Sequence, residues 1–185
     1  MGALKRLNHI YKTIESFYPE LIHSKSSSLF INYPDAKDLQ QINLPNVNHY
    51  SDFKNQCTYA HTVGLRTLNT IVTKYEIVVV TVSKSRLESL GQIAKAYNST
   101  KRGGILVVDG NKQNGIDSII RTLSRTVKIE HLNAKGHGKT VIVKVSDKIE
   151  IFSNWIKYNF PIENQDGFFS VPGLFSYRKI DPASE

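Results

Sequence analysis

Residues 103–120 read GGILVVDGNKQNGIDSII: an apolar run, glycines at Gly110 and Gly115, then isoleucines at helical spacing. A strand, a glycine loop and a helix in that order is how nucleotide-binding folds present backbone N–H groups to a phosphate. A phosphate loop also needs a lysine and a hydroxyl directly after its second glycine, for the phosphates and for magnesium. Ile116 and Asp117 stand there instead, which rules out a nucleoside triphosphatase loop. The dinucleotide pattern G-x-G-x-x-G is equally missing from Asp109-Gly110-Asn111-Lys112. Gly138-Lys139-Thr140 copies the end of a phosphate loop, but Asn133 holds the first-glycine position and TVIVKV, a strand pattern, follows. A hairpin turn fits better, with Gly136 and Gly138 free to take positive φ. The histidines His9, His23, His49, His61, His131 and His137 form no i,i+4 pair and lack a cysteine at zinc-ligand spacing. No G-x-S-x-G elbow occurs, and the neighbours of Cys57 (Asn55, Gln56, Thr58) would not activate a thiol. Metal and covalent catalysis therefore have no basis in the sequence.

Charge is the stronger signal. The 185-residue chain carries a net charge of +8, and a positive surface attracts phosphate backbones without reading sequence. From Lys95 to Lys139 there are nine Lys or Arg against three acids, Asp109, Asp117 and Glu130. Lys84, Arg86, Lys101, Arg102 and Lys112 flank the expected strand ends, so they are the RNA-binding candidates, with solvated loop charge as the plain alternative. With 40% apolar and 22% charged residues the composition is that of a globular domain, and no apolar stretch approaches the ~20 residues of a membrane helix. A single cysteine excludes an internal disulfide and fits a reducing compartment, so the expected location is cytoplasmic.

The elements that would position these groups follow from periodicity. Leu4, Leu7, Ile10, Ile14, Phe17 and Leu21 predict an opening amphipathic helix, and Leu29–Ile31 a short strand closed by the Tyr33-Pro34-Asp35 turn. Residues 35–60 are polar and carry no clear pattern, while Leu65, Leu68, Ile71 and Val72 suggest a second helix. EIVVVTV at 76–82 is a continuous β-branched run suited to a central parallel strand. Ser85-Arg86-Leu87-Glu88 has capping-box spacing and starts a helix through Tyr97. Residues 101–104 should turn into the strand ILVVD, with a helix after it on Ile116, Ile119, Ile120 and Leu123. VKIEHL and TVIVKV read as two strands joined by a hairpin, and Ile151, Phe152, Trp155, Ile156 and Phe160 as a helix or aromatic cover. This β-α-β-α order predicts an α/β fold: a mostly parallel sheet, helices on both faces, and an antiparallel terminal hairpin.

Three stretches, EIVVVTVSKSRLESLGQIAKA, GGILVVDGNKQNGIDSIIRTL and VPGLFSYRKIDPASE, resemble the amino-terminal domain of RsmC-type 16S ribosomal RNA guanine-N2 methyltransferases, of the methyltransferase small domain superfamily. They span about residues 76 to 185, with loose similarity before that. The resemblance implies a degenerate class I methyltransferase (Rossmann-like) fold. In that family two such domains stand in tandem and the carboxy-terminal one is catalytic, carrying Asp-x-Gly-x-Gly for S-adenosylmethionine and Asn-Pro-Pro-Phe/Tyr for the guanine amine. Here Ser83-Lys84-Ser85-Arg86 follows the strand in place of Asn-Pro-Pro, and no Asp-x-Gly-x-Gly occurs. Against the amino-terminal pattern Pro-Lys-x-Lys, Ser83 replaces proline, Lys84 matches and Arg86 stands for the second base; Gly110, Lys112 and Gly115 match a glycine-bounded loop. Gly173, Phe175, Ser176 and Asp181 match the hairpin leading to the catalytic domain, while Ala183 departs from it.

The expectation is therefore a methyltransferase-like domain over 1–165 and a hairpin or linker over 166–185 leading to a catalytic domain outside this chain. No cofactor is expected on this chain, S-adenosylmethionine belonging to the absent half. The expected partners are 16S rRNA or the small ribosomal subunit and the carboxy-terminal methyltransferase domain, with no membrane and no metal. Phe168, Phe169, Leu174 and Phe175, with Val171, are the candidate interdomain face. Two other readings stay open: a protein-interaction scaffold without RNA contact, and a free-standing domain that binds S-adenosylmethionine through an unrecognised loop.

Overall fold

Seven strands form one sheet in the order β3-β2-β1-β4-β5-β7-β6. The structure is a computed structural model of the chain and describes residues 3–22, 25–146 and 149–174. The strands are β1 (Ser28–Ile31), β2 (Val47–Tyr50), β3 (Arg66–Leu68), β4 (Tyr75–Thr81), β5 (Thr100–Asn111), β6 (His131–Lys135) and β7 (Gly138–Lys144). The first five run parallel; β7 pairs antiparallel with both β5 and β6. The helices are α1 (Ala3–Phe17), α2 (Ala36–Leu39), α3 (Lys54–Thr62), α4 (Arg86–Asn98), α5 (Ile116–Leu123) and α6 (Ser153–Ile156), the last flanked by 3-10 turns. A separate two-stranded hairpin pairs β8 (Ile162–Glu163) with β9 (Phe169–Ser170), so the 165/166 division falls inside a hairpin.

Alternation along the strands builds two cores. Phe30, Ile77, Val79, Ile105, Val107 and Ile142 face Leu7, Ile10 and Ile14 of α1 together with Ala36, Leu39 and Ala60. Leu29, Ile31, Val78, Val80, Leu106, Val108, Val141 and Val143 face Leu90, Ile93 and Tyr97 of α4, Ile116, Ile119 and Leu123 of α5, and Phe152. β4 is the central strand, as its β-branched run predicts.

Several expectations shift. Residues 65–72 are not a helix: β3 lies there, and the helix is α3, one segment earlier. Leu65, Leu68 and Ile71 are buried or half-buried because they pack at a sheet edge and beneath a loop, which mimics helical spacing. The unpatterned 35–60 stretch holds α2, β2 and most of α3. Lys101–Gly104 is part of β5 rather than a turn; the β4–β5 register shifts there and Gly103 takes φ 75°. VKIEHL is strand only from His131, and Gly136 and His137 alone make the hairpin turn, both at positive φ (53° and 62°) as a two-residue turn of this kind requires. The β3-to-β4 crossover, residues 69–74, carries no helix. The helical turns of 149–159 instead lie against α4.

Candidate functional site

In a doubly wound sheet, ligands sit outside the carboxyl ends of the strands where strand order reverses, here between β1 and β4. β4 exits through Val82-Ser83-Lys84, and α4 begins immediately because the Ser85 hydroxyl accepts the Glu88 N–H (3.4 Å) as N-cap. The Ser83 hydroxyl donates to Glu88 Oε2 (2.6 Å) and accepts the Ser85 N–H (3.2 Å). Burial pushes the Glu88 carboxyl up, against that bond from Ser83. Next along the edge, Asn114 Nδ2 donates to the Val82 carbonyl (3.0 Å), and the Lys112 N–H donates to the His137 carbonyl (3.0 Å). Lys84, Lys112 and the hairpin bearing Lys135 and His137 thus occupy one edge.

That edge is positive because its acids are engaged. Asp109 is buried at the end of β5 and takes two bonds from the Arg6 guanidinium, one at 2.8 Å, and one from the Thr140 hydroxyl (2.5 Å). Asp117 pairs with Lys139 at 2.7 Å, and this hydrogen bond holds its carboxyl below the usual range. Lys84, Lys112, Lys135 and His137 are exposed. Arg86 is exposed too and donates to Thr122 Oγ1 (3.1 Å).

The five basic candidates do not share one rim. Lys101 and Arg102 begin β5, at the amino edge of the sheet, while Lys84, Arg86 and Lys112 lie at the carboxyl edge. Lys101 pairs there with Glu76 at 2.5 Å. Eleven residues of strand, roughly 35 Å at about 3.3 Å per residue, separate Lys101 from Lys112. Gly110 is not a loop residue either: it ends the buried part of β5, where a Cβ would stand 2.8 Å from Val82 Cβ. Of the opening motif, only residues 112–115 form a turn, with Gly115 at φ 78°.

A crevice of about 290 Å³ opens beside the β1–β4 switch, lined among others by Asp52, Glu88, Gln92 and Leu174. Asp52 lies two residues past β2 and is satisfied from within: Lys95 Nζ (2.6 Å), the Tyr50 hydroxyl (2.8 Å), Gln92 Nε2 and Asn32 Nδ2 (3.4 Å) all donate to its carboxylate. Burial alone would raise this carboxyl, but the bonds from Lys95, Gln92 and Tyr50 outweigh it and hold it below the usual range. Gly173 sits over Glu88 so closely that a Cβ would fall 2.5 Å from the carboxyl carbon. Sequence reasoning missed Asp52 because VNHY, with asparagine and histidine at its centre, gives no strand signal. The apolar tail divides as well: Val171 and Leu174 line the crevice, whereas Phe168 and Phe169 are 57% and 72% exposed on the β8–β9 hairpin. Phe175, Ser176 and Asp181 lie outside the described residues.

Among the described residues no group of three or more His, Cys, Asp or Glu could hold a metal ion, and no helix is long and apolar enough to cross a membrane.

No protein-family model matches the chain. Over 120 residues it is 28% identical to the ribosomal RNA small subunit methyltransferase C of Psychromonas ingrahamii, covering 61% of this chain and 34% of that protein. The T. thermophilus 16S rRNA N2 G1207 methyltransferase (RsmC), solved in complex with AdoMet and guanosine, superposes with TM-score 0.71 at 15% identity, over 97% of this chain and 50% of that one. A ribosomal protein L11 methylase from Lactobacillus delbrueckii subsp. bulgaricus superposes at 0.56 with 11% identity, over 76% of this chain and 79% of that one. The chain thus spans about a third of the curated relative and half of the RsmC structure. The mostly parallel sheet with its antiparallel β7 is that of the class I, Rossmann-like methyltransferases. By sequence match and fold together, this chain has a methyltransferase fold and is similar to part of the RsmC methyltransferases.

Proposed function

We propose that this chain is the non-catalytic, RNA-positioning amino-terminal half of an S-adenosylmethionine-dependent 16S rRNA (guanine-N2) methyltransferase, working beside a carboxy-terminal catalytic domain. The observation that carries the reading is the character of the carboxyl edge: the Asp52 carboxylate and the Ser83–Glu88 pair of the crevice are held by hydrogen bonds from within, while Lys84, Lys112 and Lys135 beside it are exposed and form no ion pair among the described residues. The residues present do not fit S-adenosylmethionine. The turn after β1 is Asn32-Tyr33-Pro34-Asp35, with side chains where backbone must approach a ligand, and Asn32 spends its amide on Asp52. At the exit of β4, Ser83 is bound to Glu88 and the Val82 carbonyl accepts from Asn114, and Ser83-Lys84-Ser85 stands where an Asn-Pro-Pro would hold a guanine amine. Lys84 and Lys112, with Lys135 added by the fold, are the phosphate contacts of this reading; Arg86 supports them, and Lys101 and Arg102 are assigned to the opposite edge. Phe168 and Phe169 are the exposed apolar residues offered to the catalytic domain.

The test is the salt dependence of binding to a 16S rRNA fragment. Lys84→Gln, Lys112→Gln and Lys135→Gln together should flatten the slope of log affinity against log salt by roughly 2 to 3 units, while Lys101→Gln leaves it unchanged. An unchanged slope in the triple variant removes the RNA assignment. Titration calorimetry with S-adenosylmethionine should give no saturable heat; tight binding would instead establish a cofactor-binding domain.

A further inference from the structure

The β3-to-β4 crossover is six residues long, 69–74, about half of what a parallel connection with a covering helix needs. The sheet face beside the last turns of α4 is consequently covered from elsewhere, by the helical turns of 149–159. Gly91 marks how close that cover lies: a Cβ on it would stand 3.0 Å from the Tyr158 carbonyl carbon. The cover stops at Asn159–Phe160, and between it, the crossover and α4 a groove of about 390 Å³ remains. This groove is separate from the strand-end crevice, although Asn159 lines both.

Its lining has a consistent chemistry. Phe160 is 59% exposed and Tyr50 offers a second ring, with Lys95 Nζ 4.8 Å from that ring's centre. The side-chain amides of Asn69 and Asn98 take no hydrogen-bond partner among the described residues, so each presents an acceptor and two donors. Asn159 is locked, because its Nδ2 donates to the carbonyls of Gly91 (2.9 Å) and Ile156 (3.2 Å), which leaves Oδ1 as an acceptor of fixed direction. Among the described residues of the lining, Lys95 alone is charged, and it is already held by Asp52 at 2.6 Å. A groove of this size, ringed by aromatic faces and neutral amides and without a free cation, suits a flat, uncharged, hydrogen-bonding ring and not a phosphate.

Resting on the RNA reading above, we propose that the groove between Tyr50, Asn69, Asn98 and Phe160 binds a single unstacked nucleobase, supplied by single-stranded RNA or by a free nucleotide. The phosphates of an RNA would then be held at the carboxyl edge and one base on the α4 face.

Chemical-shift titration of the isotope-labelled 185-residue chain tests this with GMP, AMP, CMP and UMP as probes and ribose 5-phosphate as the baseless control. Nucleotides should shift the side-chain amides of Asn69 and Asn98 saturably and ribose 5-phosphate should not. Phe160→Ala and Asn98→Leu should each weaken binding about tenfold while keeping the wild-type melting temperature. The lysine variants of the carboxyl edge should leave mononucleotide binding unchanged, so this site and the RNA reading can fail separately. Competition by single-stranded RNA supports an RNA base as occupant; its absence supports the same site with a free nucleotide. No saturable shift up to about 10 mM nucleotide, equal shifts with ribose 5-phosphate, or wild-type affinity in both variants would overturn the proposal.

Discussion

Arg6 reaches from α1 across the end of the sheet to Asp109, Thr140 and the Lys135 carbonyl (3.1 Å), and it remains only 7% exposed. Gly138 is required beside it, since a Cβ there would stand 2.6 Å from Arg6 Nη1. Removing one partner of a buried pair strands the other, so Arg6→Leu should cost about 3–5 kcal/mol in denaturant unfolding, and Arg6→Met with Asp109→Leu distinctly less than the sum of the single changes. The pair at the opposite edge behaves differently. Burial alone would raise the Glu76 carboxyl, but hydrogen bonds from Lys101 and from the hydroxyl and N–H of Ser27 bring it from 4.5 to about 2. Its contribution is therefore fully present above pH 4.5 and lost as pH falls towards 2. Glu76→Gln should be less stable than wild type near neutrality, by about 1 kcal/mol because Lys101 is half-exposed and solvent-screened, and the gap should close by pH 2. A constant gap across that range would mean that shape, not charge, is what Glu76 supplies.

Among the strands, the buried β1, β4, β5 and β7 were legible in the sequence, and β2 and β3 were not. β4 and β5 announce themselves through unbroken runs of Val, Ile and Leu, and α4 through Ser85, whose cap is formed as its spacing predicts. β2 and β3 lie towards the edge, where Asn48, His49 and Thr67 fill strand positions and alternation fades into loop composition. The site followed the same division. Lys84 and Lys112 could be placed at strand ends because their strands were recognised, whereas Asp52 and Lys135 depended on an unrecognised strand and on how a hairpin folds back. The grouping of Lys101 with Lys112 failed because Lys101 and Arg102 on one side and Lys112 on the other flank opposite ends of one long strand. The glycine loop shows how a motif can mislead: Gly110 is conformationally ordinary but sterically constrained, wedged against Val82 and Ile116. Gly110→Ala should destabilise by about 1–3 kcal/mol in thermal unfolding and leave RNA binding at permissive temperature unaltered. Loss of RNA affinity without loss of stability would restore a ligand role to that glycine.

At the scale of the whole molecule, the β3-to-β4 crossover carries no helix, and a segment from much later in the chain packs on α4. Residues 149–159 are short helical turns with little helix length of their own, so their order depends on the contacts they make. Phe152 is 1% exposed, edge-on to Tyr97 at 5.0 Å and stacked on Trp155 at 4.5 Å, which ties the segment to α4. This dependence is long-range in sequence, so the cover cannot form before the β4-α4-β5 unit that it covers. Trp155 is the sole tryptophan, and its fluorescence therefore reports on the cover alone while far-UV circular dichroism reports on the sheet and helices together. If the cover is part of the cooperative core, urea unfolding followed by the two signals should give one midpoint and one slope. Phe152→Ala should then lower both midpoints together, a loss of about 3–5 kcal/mol in unfolding free energy, because a buried ring is exchanged for a cavity on α4. A fluorescence transition at lower urea, with the circular dichroism midpoint untouched by Phe152→Ala, would instead make the segment a separately opening flap over the groove.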